Sequence, residues 1–144
     1  MLHYLNGRFC TDSFSFVLPN GFYLETVPDF CFEQGFGAWT PDKQSYIEWR
    51  VEDGCDGIED ELNRLFAAGT GMKLLEGIKE VEVNGVCGHM AFYRMRTEQV
   101  MEMRLSHPNG VQLCLLIRSD DIYKCMETED IKKVLSGIQA VDLS

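Results

Sequence analysis

The chain has 144 residues, of which 45% are hydrophobic, 25% charged and 11% aromatic, a globular balance that fits one domain with a full core and needs no metal or disulfide staple. Thirteen basic against 23 acidic side chains leave a net charge of −10, a field that repels nucleic acid and anionic lipid and otherwise serves solubility. The 13 glycines and 4 prolines form no biased tract, which excludes a long disordered or collagen-like region.

Residues 1–8 hold no basic stretch followed by an apolar one, and no run approaches the length of a membrane span. The chain therefore reads as cytoplasmic, with no membrane partner. Phe14, Phe16 and Leu18 alternate with Ser13, Ser15 and Val17, the period of a strand, and Pro19-Asn20-Gly21 closes it as a turn. Phe22, Leu24 and Val27 continue as a short second strand. Between Asp29 and Lys43, aromatics mixed with glycines suit strand and loop more than helix; there Phe32, Phe36 and Trp39 form either a ligand-gripping loop or a lid over the core. Ile47, Trp49 and Val51 then alternate with Glu48, Arg50 and Glu52, a half-buried strand.

Asp56 is placed to cap a helix with Glu59, Asp60 and Glu61 in its first turn, where carboxylates meet the positive end of the dipole. Ile58, Leu62, Leu65 and Phe66 make its core-facing stripe, and Gly69 ends it in the left-handed conformation. Lys79 to Val83 and Val86 to Met95 flank Asn84-Gly85, a hairpin dipeptide. Thr97-Glu98-Gln99 and Pro108-Asn109-Gly110 read as two further loops. With three residues in each, Tyr93 opposes Met103, Met95 opposes Met101, Leu105 opposes Leu113 and Met103 opposes Leu115. One apolar face then runs through Ala91, Tyr93, Met95, Met101, Met103, Leu105, Val111, Leu113, Leu115 and Ile117. The other carries Arg94, Glu102, Arg104, Gln112 and Arg118, with Arg94 across from Glu102. The Asn-Gly hairpin does not match this phase, and a bulge at Gly88 would reset it. Thr128 caps a last helix whose stripe is Ile131, Val134, Leu135 and Ile138. The order of elements predicts an α+β fold, a curved antiparallel β-sheet with two α-helices packed on it, in a single domain over residues 1–144.

The segments Phe14 to Phe22 and Val81 to Gly88, with a helix between them and another at the end, resemble the PsbP-like superfamily, which includes DcrB-type proteins, over nearly the whole chain. The resemblance implies a curved antiparallel sheet with packed helices and a role without catalysis, as an accessory subunit, a binder of a GTPase or a chaperone of apolar segments.

Six cysteines, Cys10, Cys31, Cys55, Cys87, Cys114 and Cys125, are widely spaced without a C-x-x-C pair, so they read as thiols, several of them buried. A two-residue Asn-Gly loop brings Glu80 opposite His89 and Glu82 opposite Cys87, donors that suit a transition metal or a His-activated thiol, unless the bulge at Gly88 parts them. Met72, Met90, Met95, Met101, Met103 and Met126 suit a surface that adapts to apolar partners, although three fall on the inferred core face. His3 and His107 receive no role. No phosphate-loop, dinucleotide, zinc-protease or serine-hydrolase motif occurs, and no catalytic residue, metal ligand or cofactor is assigned. The leading expectation is a non-catalytic domain that binds another protein or pairs as a homodimer. The alternatives are a chaperone-like binder of apolar segments and a small thiol or metal enzyme built on Glu80, Glu82, Cys87 and His89.

Overall fold

The computed structural model describes residues 3–5, 8–25, 35–53 and 57–141. Its strands are β1 (His3–Leu5), β2 (Arg8–Cys10), β3 (Phe14–Phe16), β4 (Tyr23–Glu25), β5 (Gly35–Trp39), β6 (Ser45–Asp53), β7 (Met72–Val83), β8 (Val86–Met95), β9 (Glu98–Ser106), β10 (Val111–Ser119) and β11 (Gln139–Ala140). Three helices accompany them: α1 (Ile58–Ala67), α2 (Ile122–Met126) and α3 (Glu129–Ser136). The class is α+β, and every strand pairing is antiparallel. A seven-stranded sheet runs β4-β5-β6-β10-β9-β8-β7, and a four-stranded one runs β1-β2-β3-β11.

The alternation of Ile47, Trp49 and Val51 does what its period requires. These residues oppose Ile117, Leu115 and Leu113, which in turn oppose Met101, Met103 and Leu105, so one face of the large sheet is apolar across three strands. Phe9, Phe14 and Phe16 of the small sheet and Ile122, Ile131, Val134 and Ile138 from the C-terminal region cover this inner face. Phe16 stacks on Trp49 with ring centroids 5.8 Å apart. The helix expected after Thr128 is α3, with the threonine hydroxyl accepting from the Ile131 amide; α2 is an additional short helix ahead of it.

The meander departs from expectation at one turn. The β9–β10 loop has the expected length, with Leu105 facing Leu113 and a left-handed Gly110. The β8–β9 turn is instead two residues, Arg96 and Thr97, with Arg96 at φ +59°, so Met95 faces Glu98 and Tyr93 faces Val100. An odd change of register sends alternate side chains to the opposite face. Ala91, Tyr93 and Met95 therefore leave the core face, Phe92 enters it, and Arg94 faces Gln99, not Glu102. The phase conflict at the Asn-Gly hairpin disappears with this correction: pairing runs without interruption from Val83–Val86 to Lys79–Met90, and Gly88 is not a bulge. A glycine is needed there for another reason, since a Cβ would stand 1.9 Å from the carbonyl oxygen of Arg104. The irregularities fall in β7, which begins at Met72 rather than Lys79 and shifts register between Leu74 and Glu76 and between Glu76 and Lys79.

On the outer face α1 rests over β7, β8 and β9, burying Ile58 and Leu62 against Met72, Ala91, Tyr93 and Val100. Its cap position is Gly57, which supplies no side-chain bond; Asp56 lies outside the described residues, as do Val27, Phe30, Phe32, Cys31 and Cys55. Phe66, expected in the buried stripe, is half exposed, while Gly69 takes the left-handed conformation at φ +66°. His107, left without a role in the sequence, is buried. Its Nδ1 accepts from the Asn109 amide at 3.1 Å, which leaves Nε2–H to donate to the Val141 carbonyl at 2.6 Å.

Candidate functional site

Under α1 the outer face holds a buried charged group. Glu102 accepts from the Tyr93 hydroxyl at 2.9 Å and from Arg104 Nε at 3.0 Å, and Arg104 Nη2 reaches Glu61 of α1 at 3.6 Å. Burial opposes the charge on Arg104, and the neighbouring Cys114, Glu102 and Glu61 more than restore it. This group fastens a helix to a sheet.

The four residues singled out on the Asn-Gly hairpin stand as the register requires, Glu80 opposite His89 and Glu82 opposite Cys87. All four side chains are exposed and border a shallow depression with Ser106. Successive residues on one face of a strand are two positions apart, so the donors meet as two separate pairs. No group of three or more His, Cys, Asp or Glu among the described residues is placed to hold a metal ion.

A polar cleft of about 280 Å³ lies where the β5–β6 turn meets α2, lined by Thr40, Asp42, Ser45, Ser119, Asp121 and Cys125 among others. At its floor the Cys125 thiol donates to the Ser45 hydroxyl at 3.1 Å, and Ser45 donates to Ser119 at 3.1 Å. Burial pushes the Cys125 thiol up, against the two hydroxyls that pull it down, so it stays protonated at neutral pH and is no activated nucleophile.

The outer face toward β4 is different. Tyr23, Trp39, Tyr46 and Arg118 oppose one another on four successive strands, β4, β5, β6 and β10. The alternation that points Ile47 inward points Tyr46 outward, and pairing carries Trp39 and Tyr23 to the same side. The Tyr46 ring crosses the backbone of Gly37, where a Cβ would come 1.9 Å from the phenol oxygen, and it bonds to the Glu25 carboxylate. Burial, then that carboxylate, pushes the phenol well above its ordinary range. Trp39 lies against it with ring centroids 4.9 Å apart, and Trp39 and Tyr23 remain 40% and 51% exposed. Lys43 Nζ sits 4.7 Å from the Tyr23 ring centroid, and the Arg118 guanidinium 4.7 Å from that of Tyr46.

Trp39 is thus neither on a loop nor a lid over the core. It sits on a strand with its ring turned to water, and Phe32 lies outside the described residues. Tyr23 and Tyr46 were missed as its companions. The phase of β6 alone marks Tyr46 as outward, but nothing local marks the pairing that gathers all three.

No family model matches the sequence, and no curated protein matches it. The fold is similar to that of a protein from Bacteroides thetaiotaomicron VPI-5482, known from a crystal structure at 1.50 Å resolution, with a TM-score of 0.53 and 12% sequence identity. The match covers 88% of this chain and 44% of that one, so the chain spans less than half of that protein's length. The likeness is one of fold, and no function accompanies it.

Proposed function

We propose that the chain is a non-catalytic protein-binding or accessory domain of the PsbP-like kind, acting in the cytoplasm, and that it meets its partner through the aromatic row Tyr23–Trp39–Tyr46. The observation that carries this reading is the exposure of Trp39 and Tyr23 side by side on a sheet surface whose inner side is closed by a full core. Tyr46 underpins the tryptophan from the next strand, so little freedom is lost when a partner covers it. Trp and Tyr are the side chains that concentrate binding energy at interfaces, typically ~2 kcal/mol or more where a partner buries them fully.

The chaperone-like alternative has less support, because the exposed large apolar residues form separate groups. Among the described residues, Tyr23, Leu24 and Trp39 stand at the β4 side, while Leu74 and Ile78 stand on β7 at the opposite edge, Phe66 on α1 and Tyr123 on α2. The thiol or metal enzyme requires Glu80, Glu82, Cys87 and His89 to act together, and they stand in two solvated pairs.

The test compares the intact chain with a Tyr23→Ala/Trp39→Ala variant as bait in extracts of the native cell, with thermal unfolding as the control for folding. The expected result is a partner retained by the intact chain and lost by the variant. Equal retention by both would remove the aromatic row from the interaction.

A further inference from the structure

We infer that the segment seated on this row is basic, a stretch of a partner protein that presents Lys or Arg side chains to the Trp39 ring; the inference rests on the interaction reading above. The rings of the row already act as acceptors of cations, since Lys43 lies over Tyr23 and Arg118 over Tyr46, both at 4.7 Å. Trp39 stands between these two rings in the cross-strand row, and indole is the strongest cation acceptor of the aromatic side chains. Among the described residues no cation lies over it, although its surface is open to solvent.

The charges around the row favour the same occupant. Glu25 reaches in from β4 to Tyr46, and Glu48 and Glu98 flank Arg118 at 3.3 and 3.9 Å. These three carboxylates outnumber the cations Lys43 and Arg118, Arg50 farther along β6 being paired with Glu52 at 3.5 Å, and the chain as a whole carries −10. Glu25, Glu48 and Glu98 stand on strands of this sheet, so the surface pairs an open indole with acceptors for ammonium or guanidinium groups. An acidic segment would meet Glu25, Glu48 and Glu98 as like charges.

The experiment titrates the full chain into fluorescently labelled peptides of equal length, one rich in Lys and Arg, one with those residues replaced by Gln and one with Glu, and reads anisotropy. The basic peptide is expected to bind at least roughly tenfold more tightly than the neutral one, and to weaken markedly as salt is raised. Trp39→Leu is expected to abolish that preference while thermal unfolding is unchanged, and Glu48→Gln to reduce it. Equal affinity for basic and neutral peptides, or basic binding indifferent to Trp39→Leu, overturns the inference. If the bait experiment shows a partner that depends on Trp39 and no basic peptide binds, the charge inference fails and the interaction reading stands. If neither result appears, both fail.

Discussion

The side-chain amide of Asn84 donates to the carbonyl of Ile138 at 2.6 Å, joining the β7–β8 turn to the segment that leaves α3. The same amide donates to the Ser136 carbonyl at 2.9 Å, so one turn residue satisfies two carbonyls at a helix C-terminus. Asn84 also holds a left-handed φ of +51°, which its short polar side chain tolerates. Asn84→Gly keeps the turn and removes both bonds, and urea unfolding is expected to show a loss of about 1–2 kcal/mol. Asn84→Ala adds backbone strain and is expected to lose more.

The buried pair Glu102–Arg104 predicts a strong asymmetry between single and double replacement. Glu102→Ala takes the nearer carboxylate, at 3.0 Å, from a guanidinium in the interior, and about 3–5 kcal/mol of stability is expected to go. Glu102→Leu with Arg104→Met removes both charges, and denaturant titration is expected to place this double variant well above either single one.

The two phenols of the outer face forecast the alkaline limit of the fold. Burial, then Glu25, raises Tyr46, and burial, then Glu102, raises Tyr93 above the ordinary value near 10. A group raised in the folded state contributes its stability in full below the unfolded pKa and loses it as pH climbs. Stability is therefore expected to fall above about pH 10, with phenolate absorbance from these two residues appearing together with unfolding. Tyr46→Phe and Tyr93→Phe should each remove one step of that absorbance.

Thiol labelling at neutral pH offers a map of the cysteines. Cys87 is exposed and Cys10 half-buried, whereas Cys114 and Cys125 are buried. Among these four, peptide mapping after a short pulse of a thiol reagent is expected to find Cys87 modified first, Cys10 more slowly, and Cys114 and Cys125 only after denaturant is added. Rapid modification of Cys125 in the native protein would contradict its placement beneath the cleft.

What could be read in the sequence was what local chemistry dictates. The period of Ile47, Trp49 and Val51, the Asn84-Gly85 turn and the Thr128 cap each rest on a few adjacent residues, and each stands where its pattern placed it. The β8–β9 turn failed the same approach because Arg96 adopts a positive φ that nothing in its chemistry advertises, and a loop shorter by one residue reversed the facing of Ala91, Tyr93 and Met95. The first half of β7 escaped notice because its register shifts break the alternation that defines a strand. The aromatic row was illegible for a different reason. Tyr23, Trp39, Tyr46 and Arg118 come from four strands, and only the order in which those strands pair brings them into line.

The small sheet has a consequence for how the chain matures. Its inner strand β3 pairs on one side with β2 and on the other with β11, and the Val141 amide closes onto the Ser13 carbonyl at 2.8 Å. A ribosome delivers Phe14 and Phe16 well before Gln139, so during synthesis the aromatic clasp waits for a strand that does not yet exist. Until β11 is made, β3 lacks its second neighbour, and the pairing of Gln139–Ala140 acts as the bolt that completes the small sheet.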